Sequence, residues 1–163
     1  FFLSSSACAS LISFVIEKRL WVRGYRLEKF RYFCGEKNAE TMEETYQFEG
    51  LVAWQKAREL VKSVYQLTDK FPAEERFGLT NQVRRAVVSI PSNIAEGSGR
   101  ISYKEKIHFL EIAFGSQMET YCQLQLGVDL GYISNEDFVA VKPLFFETSR
   151  LISGLRKSFE AKL

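Results

Sequence analysis

The stretch LTNQVRRAVVSIPSNIAEGSGR, residues 79–100, contains two periodic patterns that fall on different sides of one predicted helix. The apolar pattern recurs at steps of three or four residues, the spacing that turns one face of an α-helix towards a core, and consists of Leu79, Val83, Val87, Ile90 and Ile94. The polar pattern has similar steps and consists of Arg85, Ser89, Ser92 and Glu96. We therefore predict a helix that packs inward on one side and meets solvent, a subunit or a polyanion on the other.

Proline and glycine residues set the limits of this helix. Pro91 removes the hydrogen bond to the carbonyl of Val87, which costs on the order of 3 kcal/mol in a helix interior. We therefore expect a kink at this position. The segment Gly97–Gly99 is typical of a helix C-terminus followed by a tight turn.

A seam of apolar residues predicts an earlier helix over residues 51–70. Its members alternate between steps of four and three, as in a helix of a bundle, and are Ala53, Ala57, Leu60, Val64, Leu67 and Phe71. Pro72 ends this helix, because the residue before a proline is driven out of helical geometry.

Two further helices are predicted after the central segment. Ser102 and Glu105 have the spacing of a capping box and start a helix that ends near Gly131. Ser134 and Asp137 form a similar pair and start the last helix. Both helices carry heptad-spaced apolar residues, and no segment of the sequence shows the sustained alternation of a strand. The predicted fold is an all-α, up-down-up-down four-helix bundle.

The composition fits a globular protein of a reducing compartment. The 163 residues are 46% hydrophobic and 26% charged, which is enough to bury a core without disulfide bonds. The three cysteines, Cys8, Cys34 and Cys122, are widely spaced and support neither a disulfide framework nor a zinc site. We therefore expect a cytoplasmic protein.

The first 41 residues differ from the rest in charge. They carry seven Lys/Arg and four Glu, whereas residues 42–163 carry fifteen Lys/Arg and sixteen Asp/Glu. Because the larger part is nearly neutral, its total charge gives no support for a nucleic-acid partner. Evidence for such a partner must come from local clusters of basic residues. Residues 1–16 are apolar but too short to span a bilayer, and no membrane helix is predicted.

We divide the chain into an N-terminal extension, residues 1–41, and a bundle, residues 42–163. The extension lacks a sustained helical or alternating period, and we expect it to be poorly structured or additional to the fold. Our hypothesis is that Met42 is the natural start and that the extension is translated upstream sequence. A mature mass from the native source that includes Phe1 would refute it.

The sequence contains no constellation of catalytic, cofactor-binding or metal-binding residues. His108 is the single histidine, and its E-x-x-H spacing to Glu105 occurs once, whereas a di-metal bundle needs it twice. The segment Gly97–Gly99 lacks the third glycine of a dinucleotide fingerprint. Cys122 is expected to be a small core residue. We predict neither enzymatic activity nor a cofactor.

Basic residues concentrate around the central helix and the start of the next one. They are Arg84, Arg85, Arg100, Lys104 and Lys106. On antiparallel helices such residues form a strip that can follow a phosphate backbone through ion pairing and counterion release. An ordinary solvated face balanced by carboxylates such as Glu96 has the same composition, so the residues alone leave both interpretations open.

Three segments resemble a known family, the bacterial four-helix-bundle proteins encoded in the intervening sequences of large-subunit ribosomal RNA genes. They are LVAWQKARELV (51–61), FPAEERFGLTNQVRRAVVSIPSNIAEGSGR (71–100) and FLEIAFGSQMET (109–120), and the most specific part is S-I-P-x-N-I-A-E-G at 89–97. The resemblance implies a bundle that assembles into a pentameric ring without enzymatic activity. A similar bundle serves diversity-generating retroelements as a strongly basic accessory protein that binds nucleic acid and a reverse transcriptase.

Two functional hypotheses follow. The first is a homo-oligomeric scaffold for RNA or DNA, in which the five basic residues bind phosphates and the polar pattern forms the subunit interface. In that interface Arg85 pairs with Glu96 of another protomer, and Ser89 and Ser92 permit close approach. The second is a pure protein-interaction module that docks a partner such as a polymerase or reverse transcriptase.

Overall fold

The computed structural model describes residues 45–163, which form four α-helices and two short 3-10 turns. We number the helices α1 (Val52–Thr68), α2 (Leu79–Ser98), α3 (Tyr103–Asp129) and α4 (Asn135–Glu160). The 3-10 turns, Gln47–Gly50 and Ala73–Phe77, precede α1 and α2. The predicted extension and the boundary at Met42 lie outside the described residues.

The four helices form a closed square of neighbours. Each helix packs against the next one in the chain, and α1 packs against α4, while the diagonal pairs make no comparable contact within the described residues. The connections between helices are short turns, so successive helices run in opposite directions. This arrangement, with no strand among residues 45–163, confirms the predicted all-α four-helix bundle.

The heptad seams of the sequence form the core. Every member of the seam predicted for α1 is buried, as are Val83, Val87, Ile90 and Ile94 of α2. Aromatic rings fill the contact between α3 and α4, where the centroid of Tyr121 lies 5.1 Å from that of Phe138 and 5.3 Å from that of Phe145. The spacing of apolar residues therefore predicts which faces are buried.

A polar side chain occupies the middle of the α3–α4 contact. Gln117 is fully buried, and its amide nitrogen donates hydrogen bonds to the backbone oxygen of Phe145 and, at 2.8 Å, to Oγ of Ser149. A buried amide is costly unless it finds partners, so this position favours one alignment of α3 against α4.

The two predicted caps differ in outcome. Oγ of Ser134 accepts a hydrogen bond from the backbone N–H of Asp137 at 3.1 Å, so the cap of α4 is confirmed. Ser102 is the N-cap residue of α3, but its side chain accepts no capping hydrogen bond, and the predicted capping box with Glu105 is wrong. Lys106 ties this end together instead, because its Nζ donates to the carbonyl of Ser98 at 3.0 Å.

Two contacts fasten the opposite end of the bundle. Lys70, just after α1, forms an ion pair with Asp137 at 2.7 Å, and this hydrogen bond lowers the pKa of the Asp137 carboxyl. The hydroxyl of Tyr132 donates to Oε1 of Glu75 at 3.0 Å, and this hydrogen bond raises the pKa of the Tyr132 phenol. The other carboxylate oxygen of Glu75 accepts from the N–H of Leu79 at 2.7 Å, which satisfies a free amide at the start of α2.

Helix α3 ends in a Schellman motif built on Gly131, whose φ of 74° lies in the left-handed region. The N–H of Tyr132 bonds to the carbonyl of Gly127 at 2.8 Å, and the N–H of Gly131 bonds to that of Val128 at 2.9 Å.

We expect Gly131→Ala to lower the free energy of unfolding by about 1 kcal/mol or more, because a Cβ is disfavoured at positive φ. The matched control is Gly154→Ala in α4, where a new Cβ meets no atom within 4 Å and the better helix former should be neutral or stabilising. Urea denaturation at one protein concentration measures both. Equal stabilities of the two variants would contradict the prediction.

Candidate nucleic-acid interface

Arg84, the first of the five predicted phosphate ligands, is held within the bundle. Its Nε donates to Oγ1 of Thr68 at 2.9 Å, its Nη2 pairs with Asp69 at 2.6 Å, and its guanidinium lies 4.8 Å from the ring centroid of Tyr65. The side chain therefore joins α2 to the end of α1, and its charge already has a carboxylate partner.

Arg100 and Lys106 close the turn between α2 and α3. Arg100 forms an ion pair with Glu96, and its guanidinium lies 4.6 Å from the ring centroid of Phe109. Lys106 donates to the carbonyl of Ser98 and lies 5.6 Å from the ring centroid of Phe159. Both cations serve the contacts of their own protomer.

Arg85 and Lys104 are the two predicted ligands that remain available. Both are exposed, and neither forms an ion pair with any residue of 45–163. Arg85 lies in the first half of α2 and Lys104 in the first turn of α3, so roughly 20 Å of helix separates them at 1.5 Å per residue. The five residues thus do not form one continuous strip of free charges.

Two cations that the sequence analysis did not single out lie on the outward side of α1. Arg58 and Lys62 are one helical turn apart and exposed, and neither pairs with a carboxylate in the described part of the chain. The carboxylates of α1 and α2 are Glu59 and Glu96, which pair with Lys56 and Arg100. We call Arg58, Lys62 and Arg85 the α1–α2 cationic face.

Most side chains of the polar pattern, which was predicted as a subunit interface, form hydrogen bonds or ion pairs within the chain. Ser89 Oγ accepts hydrogen bonds of 2.9 Å from Nδ2 of Asn93 and from Oγ of Ser116 on α3. Ser92 Oγ donates to the carbonyl of Val88 at 2.8 Å, and Glu96 pairs with Arg100. Within the described part of the chain, Arg85 is the member of that pattern that forms no ion pair.

These hydrogen bonds explain the S-I-P-x-N sequence in physical terms. Helix α2 is continuous through Pro91, which has no N–H to donate. The side chains of Asn93 and Ser92 donate to the carbonyl oxygens of Ser89 and Val88 at 2.7 and 2.8 Å, next to the Val87 carbonyl that Pro91 leaves without its helical donor. The motif therefore adds side-chain hydrogen bonds around Pro91 and links α2 to Ser116 of α3.

Gly97 permits the close contact between α2 and α3. A Cβ built on Gly97 would lie 2.8 Å from Cβ of Phe109, closer than side chains tolerate. The sequence analysis assigned this glycine to the end of the helix, but its main effect is on packing. The signal for this role was its position, three residues after Ile94 on the buried side.

Residues 49–154 match the family model described as 23S rRNA-intervening sequence protein. The chain belongs to this family. A crystal structure of a protein with unknown function from the S23 ribosomal protein family of Bacteroides thetaiotaomicron has a similar fold, with a TM-score of 0.60 and 25% identity over 65% of this chain and 99% of that chain. No curated protein matches the chain. The family assignment confirms the resemblance carried by residues 89–97.

Helices α3 and α4 carry several exposed apolar side chains. Both helices carry them along their outward sides, and the set is Ile112, Met118, Leu126, Val139 and Phe146, with exposures between 39% and 58%. The contact of Gln117 with Ser149 sets the alignment of the two antiparallel helices and places Met118 and Phe146 at the same level. We call this set the α3–α4 apolar face.

The remaining candidates for chemistry are isolated. His108 is exposed, with its ring centroid 6.0 Å from that of Phe109. Cys122 is exposed, so its prediction as a core residue is wrong: it lies on the outer side of α3, opposite the seam. No three His, Cys, Asp or Glu side chains of residues 45–163 come together as a metal site. A cleft of about 280 Å³ between Leu51 and Leu155 is apolar except for Arg150.

None of the helices formed by residues 45–163 has the length and apolar character needed to cross a membrane.

We expect Asn93→Ala to lower the free energy of unfolding by about 1–2 kcal/mol, because it removes both hydrogen bonds of the amide beside Pro91. Ser92→Ala, on the exposed side of the same turn, should cost less than about 0.5 kcal/mol. Urea denaturation of both variants provides the comparison. If Asn93→Ala proves as stable as Ser92→Ala, Asn93 does not support the helix.

Proposed function

We propose that this member of the family is a non-enzymatic, homo-oligomeric scaffold of the cytoplasm that binds the phosphate backbone of RNA or DNA. The observation that carries the proposal is the imbalance of charge on the α1–α2 side of the bundle. Family membership supports a link to ribosomal RNA, and the phosphate contacts are argued from the charges below.

Helices α1 and α2 together contain five Lys/Arg and two Glu. Both glutamates are paired, and Arg84 is paired with Asp69, so the α1–α2 cationic face keeps three exposed charges without a carboxylate partner among the described residues. Helix α3, in contrast, contains two Lys and four acidic residues. The near-neutral charge of the bundle therefore conceals a positive side and a negative helix.

A phosphate backbone is the partner that such a face fits best. Exposed cations release condensed counterions when they approach phosphates, and this gain needs no base-specific contact. Arg58, Lys62 and Arg85 make these contacts in our proposal, with Lys104 extending them at the end of α2. Arg84, Arg100 and Lys106 act indirectly by holding the helices in place.

The proposed homo-oligomer uses the α3–α4 apolar face. The face carries five exposed apolar side chains on two adjacent helices, and exposed apolar surface of this kind is typical of an interaction site. A second copy of the chain is our choice of partner, and a ring of five copies is the predicted form. The alternative function is a module that docks a polymerase or another protein. If the chain is monomeric, the same face favours this alternative.

We expect Arg85→Gln to weaken RNA binding several-fold at low salt and to reduce the slope of log affinity against log salt by about one for each phosphate that the guanidinium binds. Lys157→Gln is the matched control, because it removes one exposed charge from α4 instead. Fluorescence anisotropy with a labelled RNA between about 50 and 200 mM salt measures both slopes. No binding at low salt, or equal effects of the two substitutions, would reject the cationic face.

We expect Phe146→Glu to dissociate the oligomer, because it places a charge in the centre of the α3–α4 apolar face. Phe77→Glu is the control, since Phe77 is 85% exposed but lies in the turn before α2, away from this face. Light scattering gives the molar mass of each variant. A wild-type chain that is monomeric at micromolar concentration would count against the oligomer and favour a heterologous protein partner.

A further inference from the structure

Three aromatic rings and a guanidinium form a connected series at the start of α1. The rings of Tyr46 and Phe48 are stacked, with centroids 5.8 Å apart and planes inclined by 10°. Phe48 meets Trp54 edge to face at 4.9 Å, and the guanidinium of Arg58 lies 4.7 Å from the ring centroid of Trp54. We call these four residues the aromatic ladder.

The outer end of the ladder is open to solvent. Tyr46 is 75% exposed, while Phe48 and Trp54 are half-buried. The backbone here is tied down: Oε1 of Glu49 accepts from the N–H of Tyr46 at 3.0 Å, and Nε2 of Gln55 donates to the carbonyl of Glu49 at 2.8 Å. The exposed ring is thus presented on a turn that hydrogen bonds hold against α1.

The inner end of the ladder is part of the α1–α2 cationic face. Arg58 belongs to both, and Lys62 follows one turn later on α1. A guanidinium that stacks on an indole keeps N–H groups at its edge for phosphate oxygens. Two carboxylates adjoin the ladder in sequence: Glu49 accepts a hydrogen bond from the backbone of Tyr46, and Glu59 pairs with Lys56. Flat apolar surfaces therefore adjoin Arg58 and Lys62, cations of α1 that pair with no carboxylate among residues 45–163.

We propose that the aromatic ladder stacks the bases of single-stranded nucleic acid, while Arg58 and Lys62 bind the adjacent phosphates. This inference rests on the proposed phosphate binding and adds the form of the ligand. Bases stack on aromatic side chains when they are unpaired, since a duplex keeps their faces covered. Such stacking tolerates any sequence, because every base has a flat π-face.

The test compares strands that differ in their bases alone. Anisotropy of labelled oligo-U, oligo-dT and an abasic strand of equal length and charge is measured with the full chain. We expect oligo-U and oligo-dT to bind at least about tenfold more tightly than the abasic strand. Tyr46→Ala should remove most of this difference and change the affinity for the abasic strand less than about twofold.

A matched control is available at the other end of the bundle. Phe77 is 85% exposed and lies 5.8 Å from the guanidinium of Arg76, but it is not stacked on a second ring of residues 45–163. Phe77→Ala should leave all three affinities unchanged. In Trp21→Phe, where Trp54 is the remaining tryptophan, oligo-U should quench the indole fluorescence and the abasic strand should not.

The outcomes separate the two proposals. Equal affinities for oligo-U and the abasic strand, or an effect of Phe77→Ala as large as that of Tyr46→Ala, would overturn base stacking and leave phosphate binding in place. A preference for bases that depends on Tyr46 but not on Arg85 or on salt would support stacking and reject the cationic face. Absence of binding to every strand at low salt would overturn both.

Discussion

Helices α2 and α3 lie so close that a methyl group at Gly97 would stand 2.8 Å from Cβ of Phe109. Because the two helices pack so closely, polar side chains of α2 bond within the bundle and are not free to bind a partner. Ser89 is drawn into a hydrogen bond with Ser116, and Arg100 folds over Phe109 while it pairs with Glu96. The same contact reaches the segment around Pro91, because Ser89, which bonds to Ser116 of α3, also accepts both hydrogen bonds of the Asn93 amide.

The distribution of free charge follows from this packing. Pairs within the protomer neutralise Glu59, Asp69 and Glu96, which otherwise would balance the cations of α1 and α2. Ion pairs on the surface contribute little to the free energy of unfolding. Their clearer effect is on which surface charges remain unbalanced. They leave Arg58, Lys62 and Arg85 exposed and without an ion-pair partner among residues 45–163, although the bundle as a whole is near neutral.

The sequence was a good guide to the fold and a poor guide to the candidate site, and the residues show why. Burial of Leu60, Val87 or Phe145 follows from heptad spacing, since a helix has one periodic face. Heptad spacing could not predict the partner of Arg84, because Asp69 lies fifteen residues earlier, at the end of another helix. Arg58 and Lys62 flank Glu59 in the sequence, and spacing alone does not show that Glu59 pairs with Lys56 and leaves them unpaired among residues 45–163.

The square arrangement of helices places the two proposed contacts on different sides of the molecule. Helices α1 and α2 form one side, and α3 and α4 form the opposite side, because α1 packs against α2 and α4 but not against α3. An oligomer joined through the α3–α4 apolar face would leave the α1–α2 cationic face and the aromatic ladder open on every protomer. In such an oligomer, repeated faces would raise the effective concentration of each site for one long strand, so modest charge on a single copy would be sufficient for avid binding. Oligomerisation and nucleic-acid binding then support each other without sharing a residue.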